Sequence, residues 1–112
     1  MAEDCIFCKI AAGEVKGSIV YQDEHVTGFR DLNPQAPTHV LLIPNRHVAS
    51  IAELDDADLS WRLLAAARKV AQDEKLDNGW RLVTNVGPDA GQSVLHLHWH
   101  VLGGRRMTWP PG

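Results

Sequence analysis

Within 112 residues the chain carries six histidines, and the stretch HLHWH sets His96, His98 and His100 at every second position. Imidazole titrates near neutral pH and serves as nucleophile, acid, base, metal ligand or hydrogen-bond donor to phosphate. An extended strand sends alternate side chains to one face, so the three rings are expected on one face and Leu97, Trp99 and Val101 on the other. Three readings fit such a patch. It is a polar stripe on a half-buried strand, a zinc-type site built from the three rings alone, or a catalytic group in which His98 attacks covalently while its neighbours tune it. At a rise of about 3.3 Å per residue, rings two positions apart lie roughly 7 Å from one another and splay, which weighs against convergence on one ion.

The only cysteines, Cys5 and Cys8, form a Cys-x-x-Cys pair that a helix places on one face. Two thiols at that spacing, with histidines elsewhere, suit a four-ligand structural zinc site. The rival reading is two small apolar residues of a short helix in a reduced protein.

These residues need elements to hold them. DCIFCKIAA (4–12) reads as a short helix stopped by Gly13. SIVYQ (18–22) and HVTGFRD (25–31) read as a hairpin, NPQAP as an enforced turn, and THVLLIP as a strand apolar enough for burial on both faces. One long helix is expected over 55–78, capped by Asp55, with Leu59, Leu63, Ala66, Ala67 and Val70 as its apolar stripe and Asn78-Gly79 as its stop. WRLVTNV (80–86) and VLHLHWHVLGG (94–104) are the last two strands, joined by the loop GPDAGQS. The order helix, three strands, helix, two strands implies an α+β fold: a single twisted, mainly antiparallel five-stranded sheet with one short and one long helix.

Composition narrows the function. Hydrophobic residues make up 45% and charged residues 22%, ordinary proportions for a globular protein, and the length suits one domain over 1–112. A net charge of -3 argues against a non-specific nucleic-acid binder, whereas a local site for a small anion remains compatible with it. No apolar run approaches the roughly 20 residues of a membrane span, and MAEDCIFC lacks the layout of a signal peptide, so a cytoplasmic, non-membrane protein with reduced thiols is expected.

HLHWHVLGG resembles the His-x-His-x-His signature of the histidine-triad nucleotide-binding proteins, and CIFCKI, DLNPQAPTHVLLIP, TNVG, GQS and WPPG fall in that family's order. Together with this signature, QAPTH, GQS and the ending WPPG look like its Hint branch. The resemblance implies a hydrolase for purine nucleoside phosphoramidates and acyl-adenylates, with His98 as the nucleophile that forms a nucleotidyl-histidine. It implies that the His96 carbonyl holds His98's second nitrogen, that His100 donates to the phosphate, and that His39 backs the triad in a relay. Ser93 would meet the leaving-group nitrogen, Asn85 the phosphate side, and N–H groups around Ser93 and Val94 the phosphate itself. Asp31 would accept from both ribose hydroxyls, and Phe29, Leu32, Ile6 and Phe7 would form the base slot. Without the resemblance, Asp31 reads equally as a turn cap, His39 as a buried bonded histidine, and the apolar four as core.

The same resemblance names His47 and His96 as the partners of Cys5 and Cys8 around a structural Zn2+, with no catalytic metal. It also implies a homodimer in which the tail, with Trp109 as anchor, reaches the partner's active site; the rival is a frayed end. Arg30, preceding Asp31, is expected to bring positive charge beside the ribose site. Two other functions stay open at this point: an AMP-binding scaffold or sensor with incidental hydrolysis, and a transition-metal protein built on the triad.

Overall fold

The computed structural model describes residues 4–112. Five strands, β1 (Ile19–Gln22), β2 (Val26–Arg30), β3 (Thr38–Pro44), β4 (Trp80–Thr84) and β5 (Trp99–Gly103), form one antiparallel sheet in the order β1-β2-β3-β5-β4. Helix α1 (Ile6–Ala11) precedes the sheet and α2 (Ala57–Asp73) joins β3 to β4. This is the α+β architecture the sequence implies. Among the described residues no helix is long and apolar enough to cross a membrane.

β3 occupies the centre and is buried along its whole length, as THVLLIP suggests. Its alternation serves two cores. Val40 and Leu42 pack with Leu59, Leu63, Ala66, Ala67 and Val70 of α2, while Leu41 and Ile43 pack with Phe7 and Ile10 of α1 and with Phe29. Register carries this parity across the sheet: Leu41 faces Phe29 on one side and His100 on the other. Phe29, Leu41 and His100 therefore share the α1 side. Arg30 falls one residue out of phase, and its guanidinium forms a two-pronged ion pair with Glu74 at the end of α2, 2.9 Å on each arm. The positive charge expected beside a ribose site is thus already neutralised by a helix carboxylate.

Several boundaries differ from the sequence reading. α2 is capped by Asp56, not Asp55: its carboxylate accepts from the Leu59 N–H at 3.0 Å. The helix also ends at Asp73 rather than near Asn78. Lys75 takes a left-handed φ of 57°, the Leu76 N–H bonds back to the Ala71 carbonyl at 3.0 Å and the Lys75 N–H to that of Gln72 at 3.1 Å, a Schellman ending made without glycine. Gly79, the more obvious stop signal, lies a turn further on.

A further difference bears on the chemistry. β5 begins only at Trp99, so His96 and His98 precede the strand. The Leu97 N–H is drawn to the Val48 carbonyl at 2.6 Å, and the carbonyl of His98 accepts from the Thr84 hydroxyl at 2.9 Å. These bonds take residues 94–98 out of the β-ladder that alternation suggests. β4 likewise ends at Thr84, short of Val86.

Candidate functional site

Burial and local hydrogen bonds, more than strand geometry, place the histidines. Phe7 of α1 meets the rings of both His96 and His98 edge-on, at centroid distances of 5.9 and 5.1 Å, so both stand on the α1 side. They then divide. His98 and His100 lie together with ring centroids 5.1 Å apart, whereas His96 turns toward the cysteines. The expected single patch of three equivalent rings is therefore two sites that share a backbone.

His98 donates from Nδ1 to the His96 carbonyl at 2.7 Å. An acceptor there fixes the N–H on Nδ1 and leaves the lone pair on Nε2. A second chain of bonds fixes His100. The Gln35 N–H donates to His39 Nδ1 at 3.0 Å, so neutral His39 carries its proton on Nε2, which lies 2.9 Å from His100 Nδ1. His100 accepts that bond and keeps its own N–H on Nε2. That atom is fully buried and has no partner within the described residues. A buried donor without a partner is costly unless a ligand supplies the acceptor.

Both rings line a cavity of about 350 Å³. Ile6, Phe7, Phe29 and Leu32 stand in its wall with Asp31, Ser93, Val94, His98 and His100, and the cations Lys16 and Arg30 also line it. The four residues proposed for a base slot thus surround the same space as the acidic and hydroxyl groups. Phe7 and Phe29 are also core, meeting edge-to-face at 5.4 Å, and Leu32 is fully exposed at the rim. Asn85 and Trp109 are not among the cavity's lining residues. Asn85 is half-buried just beyond β4, and Trp109 is 82% exposed on a tail pinned by the Arg81 guanidinium to the Thr108 carbonyl at 3.0 Å.

Burial favours the neutral forms of His39 and His100. His100 is pushed down to about 4 by desolvation and by the neighbouring His98 and His39, and desolvation also lowers His39, against the opposing pull of Asp31. Asp31 divides its oxygens: Oδ1 accepts from the Asn33 N–H at 2.8 Å, the turn-cap role, and Oδ2 lies 3.5 Å from His39 Nε2. The cap and the cavity position belong to one side chain.

Two residues to which the sequence reading assigns no role of their own prove structural keys. Gln92 staples the 87–94 loop: its amide donates to the carbonyls of Ala49 and Val94 at 2.8 and 3.1 Å and accepts from the Gly87 N–H at 3.0 Å. Gln35 sets the tautomer of His39 through its backbone, which no side-chain pattern reveals. Gly87 and Gly91 take left-handed torsions, φ 80° and 85°, which would strain a side chain at either position although a Cβ there would meet nothing within 4 Å.

His96 faces the second site. Its Nδ1 lies 3.2 Å from Cys5 Sγ and 3.4 Å from Cys8 Sγ, and His47 Nδ1 lies 3.4 Å from Cys8 Sγ. All four ligand atoms fall within 4.8 Å of one another. Tetrahedral zinc with bonds of about 2.3 Å to sulfur and 2.0–2.1 Å to nitrogen needs S···N edges near 3.5 Å, so the set fits that ion. His96 Nε2 donates to the Pro44 carbonyl at 2.9 Å, the outer hydrogen bond that ligating histidines commonly make. Burial lowers His96 to about 4, keeping the neutral form that coordination requires. Without a cation the Cys8 thiol is pushed up to about 11, by burial first and then by Cys5. A centre built from the three triad rings alone is not formed, because His96 points to the sulfurs.

Residues 12–107 match the HIT domain model. The chain belongs to the HIT family. This HIT protein is 49% identical over its full length to an uncharacterized HIT-like protein of Synechocystis, whose full length is also covered. It is 47% identical to a 14 kDa zinc-binding protein of Brassica juncea over 97% of this chain and 100% of that one. A crystal structure of a HIT family hydrolase from Legionella pneumophila superimposes with a TM-score of 0.94 at 50% identity, covering 96% of this chain and 99% of the other. The five-stranded sheet with its two helices is thus the HIT fold.

Proposed function

We propose that this HIT protein is a hydrolase of the Hint type, cleaving the P–N bond of purine nucleoside 5'-phosphoramidates and the corresponding bond of acyl-adenylates through a nucleotidyl-histidine at His98. The observation that carries this reading is the pair of opposite tautomers at the cavity: His98 has its lone pair on Nε2, and beside it His100 has a buried, unpartnered Nε2–H. One ring is set to attack phosphorus and the other to donate to a phosphoryl oxygen.

In the first step Nε2 of His98 forms a bond to the α-phosphorus as the P–N bond of the substrate breaks. The nitrogen departs as an amine, the proton it needs passing from solvent through the Ser93 hydroxyl. The His98 ring, now bonded to phosphorus at Nε2 and still carrying its Nδ1–H, is a cation stabilised by the His96 carbonyl. Water then attacks phosphorus and gives up a proton to solvent, the P–Nε2 bond breaks with its electron pair returning to Nε2, the nucleoside monophosphate leaves, and neutral His98 is restored. Phe29, Leu32, Ile6 and Phe7 take the base, Asp31 the ribose hydroxyls, and Val94 and Asn85 support the phosphate.

Cys5, Cys8, His47 and His96 hold a structural zinc in this reading, consistent with the donor set and with the name of the Brassica relative. Zinc bound there ties α1 to the segment after β3 and to residue 96. The chain works as a homodimer: β4 is a sheet edge with Trp80 and Leu82 partly exposed, and a two-fold partner would cover them while receiving Trp109 near its own cavity. His98→Ala tests the assignment. Hydrolysis of adenosine 5'-phosphoramidates should be lost while AMP binding persists. Undiminished turnover in the variant would refute it, and wild-type AMP binding without turnover would favour a nucleotide-binding scaffold.

A further inference from the structure

We propose that Asp31 is a positioning residue for the His39–His100 pair as well as a ribose acceptor, its Oδ2 standing beside His39 Nε2 and supplying the counter-charge that lets the pair carry a proton against a bound phosphate. The inference rests on the function proposed above for the cavity. Its basis is two contacts that meet at one nitrogen, His39 Nε2, with Asp31 Oδ2 at 3.5 Å and His100 Nδ1 at 2.9 Å, and the unpartnered Nε2 on the other side of the His100 ring.

The backbone reinforces this arrangement. The Asp31 N–H donates to the His39 carbonyl at 3.0 Å, and the Asn33 N–H fixes Oδ1 at 2.8 Å, so the free oxygen is aimed rather than swivelling. His39 is almost wholly buried, its side chain 4% exposed, and Asp31 is at 21%. A carboxylate 3.5 Å from a buried ring sits in a medium that screens it poorly. The charged or titratable groups facing the pair are Asp31, from the end of β2, and His98, just before β5; His98 opposes protonation and Asp31 favours it. Arg30 is excluded from this balance by its ion pair with Glu74. The Asp31, His39 and His100 donors also lie close enough together to be considered a metal cluster. The 2.9 Å gap between the two ring nitrogens is a hydrogen bond, shorter than the roughly 3.3 Å separation of two nitrogens on one tetrahedral zinc.

A ribose-only role and a dual role diverge when the ribose hydroxyls are removed. Asp31→Asn keeps Oδ1 for the Asn33 N–H and so preserves the turn. We would measure wild type and Asp31→Asn with an adenosine phosphoramidate and with its 2',3'-dideoxy analogue, across pH. If Asp31 acts through His39, the variant loses about tenfold in kcat on the dideoxy substrate too, and the alkaline limb of its pH profile, where the pair gives up its proton, moves down by about one unit. Equal kcat and an unmoved profile on the dideoxy substrate overturn the proposal. NMR titration of the imidazoles decides it independently of turnover: the His39 and His100 titrations should fall by about one unit in Asp31→Asn, and unchanged titrations overturn it. A wild type that hydrolyses neither substrate would refute the proposed function, and the NMR result would still stand or fall alone.

Discussion

At the scale of single residues, the chemistry comes from side chains whose second nitrogen is already committed. His98 is defined by its bond to the His96 carbonyl, and His100 by the chain from the Gln35 N–H through His39. Removing His100 by His100→Ala should cost about 10²–10³-fold in kcat, the usual scale for one oxyanion donor, with a smaller change in KM; steady-state kinetics on an adenosine phosphoramidate checks both. The residue types at these positions were legible in HLHWH and QAPTH, and so was the Cys5 and Cys8 pair. The division of labour was not, because it depends on where carbonyls and N–H groups point. Alternation put His96 with the other two, whereas its ring completes the sulfur site and only its carbonyl serves His98. Ligand identity gives a second test. Cys5→Ser combined with Cys8→Ser should abolish stoichiometric zinc measured by elemental analysis of untagged protein and lower the melting temperature; zinc retained by that variant would move the site elsewhere.

At the scale of elements, β3 and α2 follow from patterning that survives folding: an unbroken apolar run and a stripe at helical spacing. Their ends do not. Asp55 and Asp56 are equally good caps by type, and the helix ends at Asp73 with Lys75 in a left-handed conformation that lysine seldom takes, while Leu76 finds a seat against the sheet. That seat is against Gly103 of β5, where an added Cβ would come within 2.6 Å of Leu76 Cδ1 and 3.1 Å of its Cγ. Gly103→Ala should therefore destabilise the protein by about 1–3 kcal/mol in urea unfolding. Adding Leu76→Ala should recover part of that loss relative to the sum of the two single variants, since the two changes share one contact. At the other end of α2, Asp56→Ala should cost about 1 kcal/mol, while Asp55→Ala, which removes no cap, should cost much less.

At the scale of the whole molecule, the sheet carries two cores on opposite faces, and the candidate cavity shares its α1 side with Phe7 and Phe29, so stability and site are not separable there. Buried neutral histidines make stability depend on pH. The folded values of His39 and His100 lie below the ordinary 6.5, that of His100 at about 4. Below 6.5 the unfolded chain takes up protons that the folded one refuses. Their contribution is thus fully present above pH 6.5 and is lost as pH falls toward 4. The urea midpoint should drop between pH 7 and 5, and His100→Gln should flatten part of that slope. The proposed homodimer is tested at β4: sedimentation should give twice the chain mass, and Leu82→Glu at the exposed edge should halve it. The general layout was readable from element order, whereas what covers the β4 edge and the tail depends on surfaces that one chain leaves open. The most direct test of the account is rapid quenching of wild type with an adenosine phosphoramidate, followed by peptide mass mapping. An adenylyl adduct on His98 that forms and decays at rates consistent with turnover is the predicted result; turnover with no adduct, or an adduct on another residue, would contradict it.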